Sequence, residues 1–255
     1  MVSAQEIKHI RSLKYKKYRI YYNQFIIEGT RSLLAATESK ERLIKVYISE
    51  SYQKNNNWGH IEKNLNDTST YIIPDNIMVK LTDIKTPPGI IGICSIPERQ
   101  VPDINSLENW LYLDKIRDPG NVGTILRTAA WFGVKNVALS PESIDIYNPK
   151  VVRGAMGAHF HLPIEVLQSS SMPERLAGLN VWLAEAGEGQ PYYEIEWRQP
   201  VALVIGSETH GPQPSLRSFA SGKVNIPMMG KSESLNAAVA AAVILFEILR
   251  QREST

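Results

Sequence analysis

The chain has 255 residues, 43% of them hydrophobic and 21% charged, with 28 Lys/Arg set against 26 Asp/Glu. These proportions fit a globular chain long enough for one large or two ordinary domains, and a net charge of +2 excludes a polycation. A single cysteine, Cys94, excludes an internal disulfide and a thiolate metal site, and the longest apolar run, Ala237–Phe246, is too short to span a bilayer.

The first residues, MVSAQEIKHIRS, lack an apolar signal core, and Cys94 lies inside the apolar run Ile90–Ile96. A buried strand cysteine in a reducing compartment is the expectation, with the cytoplasm as default. Charge is uneven along the chain. Residues 1–20 hold Lys8, Arg11, Lys14, Lys16, Lys17 and Arg19 against Glu6 alone, with Tyr15, Tyr18, Tyr21 and Tyr22 interleaved. This pattern suits phosphate contact with base stacking, and equally a solvated helix whose tyrosines turn to the core.

In chain order, residues 3–20 read as a basic helix, Phe25–Glu28 as a strand, and Thr30–Glu38 as a second helix with Thr30 as its cap. Apolar runs at Leu43–Ile48, Tyr71–Ile73 and Ile90–Ile96 complete a small α/β domain over residues 1–97. A proline-bracketed polar linker is expected at 98–107, and a second domain at 108–255. There the strand Trp110–Leu113 leads through Asp118-Pro119-Gly120-Asn121 into a helix with Asn121 or Thr124 as cap and Gly133 at its end. Lys135–Leu139, Val181–Ala184 and Val201–Ile205 are apolar strands, and Asn148–Ala155 is helical. Continuous Val/Ile/Leu strands between helices predict a parallel sheet covered on both faces. The strand Val224–Ile226 stops at Pro227, and a long helix is expected from about Ser234, capped by Ser232 or Ser234.

Three loops follow three apolar strands: Asp118–Gly123, Gly206–Gly211 and Pro227–Asn236. Each carries glycine where a backbone would approach a ligand, at the edge where α/β sheets bind ligands. No G-x-G-x-x-G follows a strand and no phosphate-loop motif is present, so nicotinamide and ATP chemistry have no support. His159 and His161 would share a strand face, but two ligands are too few for structural zinc, and no metal is expected. Taken singly, Arg127 reads as a surface cation, Asn121 as a cap, Glu208 as a helix N-terminal carboxylate and Asn236 as a cap or cross-link.

Their order and spacing carry more. Asn121 to Ala129 (N-x-G-x-x-x-R-T-A), Gly206 to Gly211 (G-S-E-x-x-G) and Ile226 to Asn236 (I-P-M-x-G-x-x-x-S-L-N) stand in succession. Together they resemble the three motifs of the SpoU/TrmH family of RNA ribose 2′-O-methyltransferases, and Lys150–Gly157 resembles a supporting stretch of that family. Phe25–Ala36 looks like the family's N-terminal substrate-binding domain, related to RNA-binding ribosomal proteins.

The resemblance implies a C-terminal α/β knot, a deep trefoil on a largely parallel sheet, beside a smaller N-terminal α/β RNA-binding domain. It also implies S-adenosylmethionine as cofactor and a homodimer that completes the active site. By position, Gly206, Ile226, Met228, Gly230 and Leu235 would hold the cofactor, while Asn121, Arg127, Glu208, Ser234 and Asn236 match the polar active-site positions. Lys14, Lys17, Arg19, Arg31 and Arg153 would meet RNA. The expected substrate is a ribose 2′-OH of structured RNA. Ribosomal RNA is favoured over transfer RNA because of the appended N-terminal domain. A catalytically silent RNA-binding protein of the same fold is the alternative from another class. His210 departs from the family's glycine-rich sequence after Glu208.

Overall fold

The computed structural model describes residues 2–39, 43–54, 58–65, 68–97, 108–231 and 234–253, so the linker expected at 98–107 lies outside the described residues. In chain order the elements begin with α1 (Ala4–Ser12), α2 (Lys16–Tyr22), β1 (Gln24–Glu28), α3 (Thr30–Glu38), β2 (Leu43–Ser49), α4 (Glu50–Gln53) and α5 (Trp58–Glu62). They continue with β3 (Ser69–Ile73), α6 (Asp75–Leu81), β4 (Ile90–Ser95), β5 (Trp110–Asp114), α7 (Pro119–Trp131), β6 (Asn136–Leu139), α8 (Pro149–Ala155) and β7 (Ile164–Val166). The last are α9 (Met172–Arg175), β8 (Asn180–Ala184), β9 (Gln190–Pro191), β10 (Val201–Gly206), β11 (Gly222–Asn225) and α10 (Ala237–Glu253).

Two compact units divide the chain. The first takes the residues up to Glu98 together with Asp145–His161, and the second takes the remainder. In the first unit a four-stranded sheet runs in the order β1-β4-β2-β3, with only β2 and β3 parallel. Phe25, Ile27, Leu33, Val46, Ile48 and Ile90 form its core, joined by Val152 and Phe160 of the later segment. Gly157 sits at φ +97°, and a Cβ there would lie 2.5 Å from the Ala35 Cβ. Only glycine fits this close approach without strain.

Several expectations change here. The basic helix is two helices, broken where Leu13 turns into the core and the Ser12 hydroxyl donates to the His9 carbonyl at 2.6 Å. Gly29 (φ +89°), not Thr30, stands at the N-cap of α3. The tyrosines do not turn inward: Tyr21 is 77% exposed, and Tyr15 and Tyr22 also face solvent. Arg19, expected to meet RNA, is 2% exposed. It pairs with Asp145 and donates to the carbonyls of Leu13 and Lys14, each at 2.8 Å, so its charge serves the fold. A guanidinium this deep is tolerated because its donors find partners. His159 lies in a 3-10 turn rather than a strand, buried, with Nε2 2.8 Å from the Ile146 carbonyl.

The second unit is built on a seven-stranded sheet ordered β7-β6-β5-β10-β8-β11-β9, every pair of neighbours parallel. Strands β5 and β10 are buried along their whole length, as the apolar runs Trp110–Leu113 and Val201–Ile205 predict, and Asp114 at the end of β5 is buried with them. Helix α10 packs on α7 and β10, burying Ala237, Ala238, Ala241, Ile244, Leu245 and Ile248. Its small residues allow close approach, while Val239 and Phe246 remain exposed. Among the described residues, no helix is long and apolar enough to cross a membrane.

Candidate active site

Parallel pairing sets the site. Gly206 of β10 registers against Asp114 of β5, so the loops that leave both strands emerge side by side at one sheet edge. Strand β11 is joined to β10 through β8, and its loop emerges at the same edge.

Each loop is held by identifiable bonds. Asp118, rather than Asn121 or Thr124, caps α7: its carboxylate accepts the Asn121 backbone N–H at 2.7 Å. Pro119 follows in the first turn, where its missing N–H costs nothing. The Gly206–Gly211 loop closes tightly, with the Gly211 N–H donating to the Ser207 carbonyl at 2.8 Å. A Cβ on Gly206 would lie 2.0 Å from the Gly211 carbonyl carbon and 2.1 Å from the Pro212 nitrogen. No side chain can be accommodated there without moving backbone. The third loop ends at Asn236, whose Oδ1 accepts the N–H groups of Ala238 at 2.9 Å and Val239 at 3.3 Å. Asn236 therefore caps α10, and the helix starts at Ala237 rather than near Ser234. Ser232, the other expected cap, lies outside the described residues.

These caps meet. The Asn236 amide nitrogen donates to Asn121 Oδ1 at 2.8 Å, and the Asn121 amide nitrogen donates in turn to the Glu208 carboxylate. One residue from each loop thus enters a single chain of hydrogen bonds, although Asn121, Glu208 and Asn236 are separated by up to 115 positions. Arg127 lies exposed nearly two turns further along α7, and Ser234 is exposed two residues before Asn236. Ile226 is half-buried beyond β11, while Met228 and Leu235 are exposed and Met229 is 98% exposed. Gly230 lies exposed between them and Ser234. His210 is exposed, with Nδ1 2.7 Å from the Thr209 hydroxyl. Among the described residues, no cluster of three or more His, Cys, Asp or Glu could hold a metal ion.

The structure adds Asp114, which the motifs do not single out. Buried at the end of β5, its carboxylate accepts the Gln213 backbone N–H at 2.7 Å and the Gln213 amide at 2.6 Å. It anchors the far end of the loop that carries Glu208. Lys115, with φ +57°, then turns the chain away, its N–H held by Ser140 at 2.8 Å. An aspartate ending an apolar strand was the visible signal, but its partner 99 residues later was not.

In the first unit, the residues expected to meet RNA differ in freedom. Lys17 and Arg31 are exposed, Lys14 lies 3.6 Å from Asp83, and Arg153 is paired with Glu28 at 2.6 Å.

Residues 108–246 match the family model described as the SpoU rRNA Methylase family, and residues 4–92 match the model of the MRM3-like substrate binding domain. A 23S rRNA (guanosine(2553)-2′-O)-methyltransferase, RlmP of Bacillus subtilis, is 30% identical over 96% of this chain and 96% of its own. The SpoU methyltransferase AviRb of Streptomyces viridochromogenes, solved in complex with AdoMet, superposes with a TM-score of 0.84 at 26% identity, over 99% of this chain and 100% of that one. An AdoMet-bound rRNA methyltransferase from Sinorhizobium meliloti gives 0.83 at 26% identity, over 98% and 97%.

Proposed function

Because this chain belongs to the SpoU rRNA Methylase family, we propose that it transfers a methyl group from S-adenosylmethionine to a ribose 2′-hydroxyl of ribosomal RNA. The observation that carries the reading is the hydrogen-bonded chain Asn236–Asn121–Glu208, which joins all three motif loops at one sheet edge. A relative similar over both domains is named as a 23S rRNA enzyme, and the matched substrate-binding domain accompanies the methylase domain here as well. That favours ribosomal over transfer RNA. A silent RNA-binding protein would have no need for a site whose polar residues are held in mutual register.

The residues fit the cofactor. Gly206 lets its own loop close at the sheet edge, where a Cβ would meet the Gly211 and Pro212 backbone, and the exposed Met228 and Leu235 offer apolar surface for the adenosine and methionine parts. When bound, S-adenosylmethionine supplies an electrophilic methyl group on a sulfonium. Backbone at Gly206, Ile226 and Leu235 would hold its adenosine and methionine parts, and Met228 and Gly230 would line that pocket. Arg127 and Ser234 hold the phosphate next to the target ribose, which fixes the 2′-oxygen for in-line attack. A guanidinium keeps its proton in proteins, so Arg127 stabilises developing negative charge on that oxygen, and the hydroxyl proton leaves to solvent at this exposed edge. Asn121 and Asn236 keep Glu208 and the loop backbones in position.

The same reading includes the trefoil threading of the C-terminal segment, a cytoplasmic location, and a homodimer. Trp131 at the end of α7 is 84% exposed, and Val239 and Phe246 stand out from α10, whose Phe246 ring lies 6.2 Å from that of Phe132. Large apolar side chains gathered on two packed helices suit a second copy of the chain. Arg31 and Lys17 contact RNA phosphates in this reading, whereas Lys14 and Arg153 contribute less because each faces a carboxylate.

Calorimetric titration with S-adenosylmethionine and S-adenosylhomocysteine, followed by nucleoside mass analysis of ribosomal RNA incubated with the protein, tests the reading. Micromolar binding and a methylated ribose are expected. A folded protein that binds neither compound, or a product methylated on the base, would overturn it.

A further inference from the structure

A groove of about 620 Å³ opens in the first unit between α1, α2 and the strands β1 and β2, well away in sequence from the three motif loops. Tyr18 and Tyr22 line it, four residues apart on α2, their rings 22° from parallel with centroids 6.4 Å apart. The His9 ring meets Tyr22 edge-on at 4.4 Å, and His9 Nε2 lies 2.9 Å from the Gln24 side-chain Oε1. The Gln24 side chain lines the groove as well. At the floor, the Glu6 carboxylate accepts from Lys45 at 2.8 Å and from the Tyr47 hydroxyl at 2.5 Å. The Lys45 hydrogen bond, with that of Tyr47, holds the Glu6 carboxyl below its ordinary range, so the floor keeps its charge pair at neutral pH.

Around the rim the character changes to exposed cation and ring. Lys8 lines the groove and is exposed, the exposed Lys17 holds its ammonium 4.7 Å from the centroid of the lining Tyr18, and Tyr21 sits against Tyr22 at 4.8 Å. A volume in the range of small-ligand sites, lined by the rings of His9, Tyr18 and Tyr22 and by Lys8, with the Lys17 ammonium beside Tyr18, matches a planar heteroaromatic group carried on a phosphate chain. A paired helix offers no ring face, so the group has to be unstacked.

We propose that this groove receives an unpaired base of the substrate RNA, stacked on the Tyr18/Tyr22 face and read on its polar edge by Gln24. The proposal rests on the reading of the chain as an RNA-modifying enzyme. It goes beyond that reading in naming a base-binding site in the first unit and the single-stranded feature it takes.

The experiment is fluorescence anisotropy of the full chain with labelled oligouridylate, oligoadenylate and a blunt RNA duplex, across a salt series. Single strands are expected to bind more tightly than the duplex. Tyr22→Ala and Tyr18→Ala should each weaken single-strand binding about 5- to 150-fold, the range of one base–aromatic stack, with little change in salt slope. Tyr22→Phe keeps the ring and should bind as the parent does, whereas Lys16→Ala with Lys17→Ala should lower the salt slope. Parent-like affinity in both alanine variants, equal binding of duplex, or no binding of either single strand at low salt would overturn the proposal. Titration of the same samples with S-adenosylmethionine separates the two readings. Tyrosine-dependent RNA binding without cofactor binding keeps the groove and removes the methyltransferase, and the reverse result does the opposite.

Discussion

The loop edge of the second unit and the α1–α2 face of the first are both polar and both exposed, yet they are built in opposite ways. At the loop edge the side chains are short, and each is held by the next: Asp118 and Asn236 cap helices, while Asn121 joins Asn236 to Glu208. Little side-chain entropy remains to be lost when a substrate arrives, as positional chemistry requires. On the α1–α2 face the side chains are long lysines and largely exposed tyrosines, above a floor pinned by Glu6, Lys45 and Tyr47. Such a surface adapts to a flexible backbone and trades precision for reach. The difference teaches where rigidity is placed: in the loops that would do chemistry, and beneath, not on, the surface that would find RNA.

Substitutions that attack each kind of rigidity should separate the two regions. The largest effect is expected from Gly206→Ala, whose methyl group collides with the backbone of Gly211 and Pro212. A loss of about 4 kcal/mol or more is the expectation for such forced backbone movement, read as a melting temperature lowered by roughly 10 °C with no detectable cofactor binding. Arg127→Ala should lower the rate of methyl transfer about 100- to 1000-fold while leaving S-adenosylmethionine affinity and the melting temperature near the parent's, measured by single-turnover assay beside calorimetry. Equal losses in rate and cofactor affinity would place Arg127 in the cofactor cradle instead.

Asn236→Ala removes both the cap of α10 and the link to Asn121. Loss of the cap should cost about 1 kcal/mol of stability in chemical denaturation, with a further fall in turnover if the link positions Glu208. Asn236→Asp restores the cap and therefore separates the two contributions. The smallest effect is expected at the groove floor. Glu6→Gln should cost about 0.5 kcal/mol at neutral pH, because the Glu6–Lys45 pair is partly exposed and such pairs contribute little. Because the folded carboxyl is held below its ordinary value of 4.5, its contribution is complete above that pH and fades as pH falls through the folded value. The gap between parent and variant should therefore close on acidification below about 4.5, followed by urea titration at several pH values. A gap that widens there would contradict the assignment of Lys45 and Tyr47 as partners of a carboxylate.

Residue patterns alone revealed the parallel sheet, because fully buried strands such as Val201–Ile205 must be apolar without interruption. They also revealed the three glycine-bearing loops, since a loop that passes close to backbone or ligand needs residues without a Cβ. The helix caps were harder to place. Asn121, Asp118 and Thr124 are all acceptable caps by type, and only the bond from the Asn121 N–H to Asp118 decides among them. The same holds at α10, where Ser232, Ser234 and Asn236 compete and Asn236 makes the bonds.

What the sequence determined by itself was local and periodic: which stretches are strands or helices, where charge and tyrosine gather, and which short motifs stand in which order. Tertiary structure decided what depends on partners far along the chain. It turned Arg19 from a surface cation into a buried partner of Asp145, 126 residues away, and it placed Asp145–His161 within the first unit although that segment follows the first strands of the second. It paired Asp114 with Gln213 and drew Asn121, Glu208 and Asn236 into one chain of bonds. The physical reason is the same in each case. Propensity and periodicity act over a few residues, whereas the fate of a polar side chain is set by whichever group the fold brings within 3 Å or so of it, and sequence separation carries no information about that distance.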